Sequence, residues 1–157
     1  MDEILTAILK DTYSLTQYRN RVRLLKAYLV QSFFGGNPLP ENQDTLWLKS
    51  LPQTLFQKFT KDNVYEIFTD LEKSINNLKV LTMHLAFDPD EASLNELGAH
   101  ARTTLASPTL LLDIKLNPNL IAGAAFSWKG RLRDYSLKSK LEEKRQELSE
   151  EFRRFLR

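Results

Sequence analysis

The stretch LNPNLIAGAAFSWKGRLRDYSLKSKLEE, Leu116 to Glu143, sets how this chain folds. It opens on a turn, Asn117-Pro118-Asn119, and runs on through apolar residues to Trp128. Lys129 and Gly130 then form a two-residue step of the kind that reverses a hairpin. The short extended piece RLRDY follows, and Ser136 stands where an N-cap is needed ahead of a charged helix. The stretch therefore reads as a hairpin feeding a long helix.

Upstream of it the period is also that of a sheet. In KVLTMHLAF, Leu81, Met83, Leu85 and Phe87 alternate with Val80, Thr82, His84 and Ala86, a strand with at least one well-buried face. DPDEASLNELGAHARTTL follows, with Asp88 expected as N-cap, Pro89 at the first helical position and a stripe of Leu94, Leu97, Ala101 and Leu105. PTLLLDIKL is a second strand, NLIAGAAFSW a third and RLRDY a fourth.

The first half has the helical period. Leu15, Tyr18, Val22, Leu25, Leu29 and Phe33 recur at three- and four-residue steps. Gly35, Gly36, Pro38 and Pro40 end that run. LWLKSLPQTLFQKF splits at Pro52 into two short helices. Asn63 is expected to cap the next, with Glu66 as its capping-box partner. The chain therefore reads as α+β: an N-terminal helical bundle over residues 1–78, then over 79–157 a small four-stranded mixed sheet with two helices, the last of them long.

Composition narrows the function. The chain has 157 residues, 42% of them hydrophobic, which suffices for a real core. Its net charge is only +2 with 27% charged residues, not the basic bias of a dedicated nucleic-acid binder. No cysteine is present, so disulfides, thiolate–zinc sites and thiol nucleophiles are excluded, and an intracellular home fits. MDEILTAILKD does not read as a signal peptide, and no apolar run approaches the ~20 residues that span a bilayer.

Candidate chemistry is sparse. FFGGNP has two glycines but no following Lys-Ser or Lys-Thr to open a phosphate-binding helix, and it reads as a helix–helix loop. His84 and His100 belong to no HxxxH or HxH pair. No GxSxG turn presents a serine. Asp113 and Asp134 fall in extended segments of one sheet and can face each other as an acid–base pair. The simpler reading pairs them with Lys115, Arg131 or Arg133. Lys129, Arg131, Arg133, Lys138 and Lys140 surround Trp128 and Tyr135, so the hairpin 128–140 is a candidate single-strand nucleic-acid patch. Glu142, Glu143, Glu147, Glu150 and Glu151 on the following helix oppose it.

What the chain offers most clearly is a surface for helices. Leu141, Leu148 and Phe155 fall seven apart, and Leu137, Phe152 and Leu156 broaden the seam. A twenty-residue helix is ~30 Å long, whereas a strand of typical size covers ~17–20 Å. The far end is therefore expected to project and to need a protein helix as partner.

The segment LLLDIKLNPNLIAGAAFSWKGRLRDYSLKSKLEE resembles the C-terminal part of the delta subunit of F-type ATP synthase, the oligomycin-sensitivity-conferring protein of mitochondria. The matching residues are Pro118, Leu120, Ile121 and Gly123, then Gly130, Asp134, Ser136 and Leu141. All are structural, and none is catalytic. Ala122 stands where the family's first paired glycine is, and Tyr135 where a glycine precedes the capping serine.

The resemblance implies a non-catalytic peripheral-stalk subunit with no cofactor, on the cytoplasmic face of the energy-coupling membrane and without direct lipid contact. It implies that the N-terminal bundle grips alpha-subunit N-terminal helices, for which Tyr18, Val22, Leu25 and Leu29 are the candidates. It also implies that Leu137, Leu141, Leu148, Phe152, Phe155 and Leu156 hold the C-terminal helix of the b subunit. Three alternatives remain open: a small nucleic-acid-binding adaptor using the hairpin, an enzyme using Asp113 and Asp134, and a stalk component of an archaeal or vacuolar-type ATPase. Stalk components of that last type usually begin with a very long charged helix, unlike the broken helices here.

Overall fold

The computed structural model describes residues 2–36 and 43–155. Pro38 and Pro40 of the expected loop, and Leu156 of the expected seam, lie outside the described residues.

The first half is helical, as its period requires. The helices are α1 (Asp2–Lys10), α2 (Leu15–Phe34), α3 (Gln43–Ser50), α4 (Gln53–Phe56) and α5 (Val64–Ser74). A capping box starts α2: the Ser14 hydroxyl accepts the Gln17 N–H at 3.1 Å, and the Gln17 side chain accepts the Ser14 N–H at 3.1 Å. Pro52 stands at the N-cap of α4. Asn63 precedes α5 but makes no side-chain cap. Its carboxamide instead accepts the Thr60 N–H at 2.8 Å and donates to the Lys58 carbonyl at 3.0 Å, so it closes the preceding turn.

Tyr18, Val22, Leu25 and Leu29 form the buried stripe of α2. They pack with Ile4 and Ile8 of α1, Trp47 and Leu48 of α3, and Phe68 and Leu71 of α5. The Tyr18 hydroxyl donates to the Leu71 carbonyl at 3.1 Å, and burial pushes its pKa up. This corrects the expectation that these four residues face a hexamer: an apolar stripe satisfied by its own bundle presents no surface to a partner.

The second half is β1 (Val80–Leu85), α6 (Glu91–Thr104), β2 (Leu111–Leu116), β3 (Ala124–Trp128), β4 (Arg131–Asp134), α7 (Leu137–Glu143) and α8 (Arg145–Phe155). The sheet order is β2-β1-β3-β4, with β1 and β2 parallel and the other pairs antiparallel. The fold is thus α+β with a four-stranded mixed sheet, as read from the sequence. Helix α6 makes the crossover that a parallel pair requires. Its cap is Asp90, whose carboxylate accepts the Ser93 N–H at 2.9 Å, and not Asp88. Pro89 lies outside the helix.

Leu81, Met83 and Leu85 are buried with Leu110 and Leu112 beneath Leu94, Leu97 and Ala101 of α6 and Leu105 at its C-cap. Phe87, expected to continue the alternation, lies past the strand end and is exposed. Leu111 points the other way and joins the core of the helical half. The Leu112 N–H donates to the Tyr13 carbonyl at 2.8 Å, tying the β2 edge to the start of α2. Arg102 on α6 completes this junction. Its guanidinium donates to the carbonyls of Leu110 (3.0 Å), Lys10 (3.4 Å) and Thr12, and lies 4.6 Å from the Tyr13 ring centroid.

Candidate partner interface

The hairpin and the terminal helices are built from the turn outward. The Asn117 side chain accepts the Asn119 N–H at 3.2 Å and starts one 3-10 turn, Pro118–Leu120, with Pro118 in its first turn. Leu120 is buried there. Ile121 follows at φ 68°, ψ −57°, and the Ala122 N–H donates back to the Leu120 carbonyl at 2.8 Å. That is a γ-turn centred on Ile121.

Two main-chain bonds then seat α7 on the entrance to β3. The Tyr135 N–H donates to the Ala124 carbonyl and the Leu137 N–H to the Ala122 carbonyl, both at 2.9 Å. Gly123 lies between them, at φ 83°. At the far end, Lys129 (φ 49°) and Gly130 (φ 76°) close β3 to β4 between paired Trp128 and Arg131. Both central φ values are positive, as a hairpin turn matched to strand twist requires.

Ser136 is fully buried, and its hydroxyl accepts the Ser139 N–H at 3.2 Å, the cap expected for the last helical segment. The Asp134 carboxylate accepts the Ser136 N–H at 2.8 Å. Hydrogen bonding from Ser136, by its side chain first and its main chain second, holds Asp134 below the usual carboxylate range.

The final helical segment is interrupted once. Lys144 sits at φ −96°, ψ 7° between α7 and α8, while the bonds from Lys144 N–H to the Lys140 carbonyl and from Leu148 N–H to the Lys144 carbonyl carry the helix across. Every described residue from Glu142 onward except Leu148 is exposed. Leu137 and Leu141 are 41% and 42% exposed, Phe152 66% and Phe155 88%. An apolar row at helical spacing thus stands in water along α7 and α8, flanked by charges of both signs.

The other candidates are placed differently. Asp113 lies on β2 and Asp134 on β4, the two outer strands. Three strand spacings, about 14 Å, separate those strands, so the two carboxylates form no acid–base pair. Asp113 instead pairs with Lys115 at 3.6 Å. His84 is half-buried and His100 exposed, and the described residues hold no group of three or more metal-ligating side chains. In the basic hairpin, Tyr135 stacks on Phe126 with centroids 5.2 Å apart, Trp128 packs against the sheet core, and Lys138 reaches Glu142 at 3.9 Å.

Sequence reasoning missed the exposed aromatic residues of the helical half. Phe34 and Tyr65 stack at 6.3 Å, and Tyr28 meets Phe56 edge-on at 5.7 Å. Phe34 and Tyr65 fall off the buried stripes of their helices, and that mismatch is the available signal. The γ-turn at Ile121 carries no sequence signal, since isoleucine is not a residue such turns favour.

A helical half joined to an α+β half that holds its last helix out in solvent defines an interaction module. The profile of the ATP synthase delta (OSCP) subunit family matches residues 57–148, more than half of the chain, and the chain belongs to that family. No curated protein matches it. The matched span runs from the end of α4 through the sheet and α7 into α8. Membership makes the chain an accessory, peripheral-stalk type of ATP synthase subunit, which works in association with other subunits of a membrane-bound complex. Among the described residues no helix is long and apolar enough to cross a membrane, and α8 is amphipathic and charged rather than bilayer-like.

Proposed function

We propose that the chain is a non-catalytic stator connector, linking the alpha/beta catalytic hexamer to the b-subunit stalk so that rotor torque is resisted during ion-driven ATP synthesis. The 79–157 module holds the C-terminal helix of b along Leu137, Leu141, Leu148, Phe152 and Phe155. The 1–78 bundle meets alpha-subunit N-terminal helices on the cytoplasmic face of the membrane, without lipid contact. Since Tyr18, Val22, Leu25 and Leu29 are internal, the exposed aromatic residues Tyr28, Phe34 and Tyr65 are the surface for that contact. The observation that carries this reading is the solvent-facing apolar row on α7 and α8 in a chain of this family. Large apolar side chains at helical spacing are what a helix-in-groove partner buries.

Truncation after Leu148 tests it. The truncated chain is expected to uncouple ATP hydrolysis from ion pumping while leaving the hexamer's ATPase intact. Coupled synthesis at the full-length rate would contradict the reading.

A further inference from the structure

We propose that the γ-turn at Ile121 is part of the partner surface, its side chain an apolar knob that enters the facing helix of the stalk subunit; this rests on the stator reading. A β-branched residue at positive φ is a steric outlier, and the positive-φ γ-turn is itself rare and strained. Among the described residues, the other non-glycine residues with positive φ are Ala106 and Lys129, neither branched at Cβ. A glycine or asparagine would adopt this backbone at lower cost.

The isoleucine side chain belongs to neither hydrophobic core. The turn is held by its neighbours: the Asn117 cap, buried Leu120 and the 2.8 Å bond across it. Ile121 itself is 60% exposed, so it gains little from the core. A strained conformation that bears an exposed apolar side chain points to work done outside the fold.

Its position says what that work is. Ala122, the next residue, accepts the first amide of α7, Leu137 N–H, at 2.9 Å, and α7 packs against the Pro118–Leu120 turn. Ile121 therefore adjoins the start of α7, where the exposed Leu137 and Leu141 follow. A row of that length with seven-residue repeats at Leu141, Leu148 and Phe155 suits one amphipathic helix. As the proposed knob, Ile121 would lengthen the partner surface beyond the N-terminus of α7.

The test uses the full chain and the purified soluble portion of the b subunit from the same synthase, with affinity and thermal unfolding measured side by side. Ile121→Gly is expected to raise Tm by about 2 °C, by relieving the turn, and to weaken binding about tenfold or more. Ile121→Asn, which also tolerates positive φ, should weaken binding similarly without lowering Tm. Ile121→Val keeps the apolar knob and should bind within about threefold of wild type. If wild type binds and Ile121→Gly binds equally well, the knob is wrong and the stator reading stands. If Ile121→Gly lowers both Tm and affinity, the residue is structural and the proposal fails. If wild type does not bind, the stator reading falls and the knob with it.

Discussion

A Cβ built on Gly123 would lie 2.7 Å from the main-chain oxygen of Tyr135. It would also lie 3.3 Å from the Ser136 Cα, so the start of α7 is laid directly against the glycine. Gly123 is needed twice over, for that approach and for its φ of 83°.

Gly123→Ala is therefore expected to cost at least about 2 kcal/mol, since neither the backbone of Tyr135 nor that of Gly123 can yield cheaply. The denaturant midpoint should fall with the slope unchanged. The bonds from Tyr135 to Ala124 and from Leu137 to Ala122 should be the first to open in amide exchange. An unaltered midpoint would mean that α7 is not seated there.

Asp134 gives the hairpin an acid-sensitive contact. Its folded pKa is depressed by Ser136. A depressed carboxylate contributes stability above its unfolded value, near ~3.9, and that contribution is lost as pH falls through the lower folded value. The difference in Tm between wild type and Asp134→Asn should be constant at neutral pH and close below about pH 4. A gap that persists unchanged at lower pH would show that the charge plays no part.

Arg102 links the two halves through the carbonyls of Lys10 and Thr12 and the Tyr13 ring. Lysine cannot supply the same planar fork, so Arg102→Lys should cost about 1–2 kcal/mol and Arg102→Ala more. Fluorescence of Trp47, in the helical core, and of Trp128, on the sheet, would report whether the halves then unfold at different denaturant concentrations. A single unchanged transition in Arg102→Ala would deny Arg102 that role.

Phe152 and Phe155 make the opposite case. At 66% and 88% exposed they support little of the fold. Phe152→Ser with Phe155→Ser should leave Tm within about 2 °C of wild type while weakening stalk binding at least about tenfold. Loss of stability together with binding would place these rings in the fold instead.

These contrasts mark what is legible in the sequence. The alternation of Leu81, Met83 and Leu85 and the Lys129-Gly130 step specify the sheet, because a period of two and a pair of turn residues are local properties. Ser136 is readable as a cap for the same reason. Asp88 and Asp90 both precede a helical run, and only geometry tells which carboxylate reaches an amide. Asn63 has a closer competitor in the Thr60 turn.

The α2 stripe illustrates a deeper limit. Tyr18, Val22, Leu25 and Leu29 have the period of a buried face, as do Leu141, Leu148 and Phe155. Period says that a face is apolar and is silent on what covers it. In α2 the cover is α1, α3 and α5 of the same chain, whereas in α8 it is water. The turn at Ile121 lies beyond reach altogether, since its backbone conformation opposes its own residue preference.

Whether this chain joins the catalytic hexamer to the stalk is settled by tagging the full-length protein and isolating it from detergent-solubilised membranes of its source cell. Alpha, beta and b subunits are expected to co-elute in one complex, and the chain lacking residues beyond Leu148 is expected to retain alpha and beta but lose b. Recovery of the chain without alpha, beta or b, or with nucleic acid in their place, would contradict the stator reading.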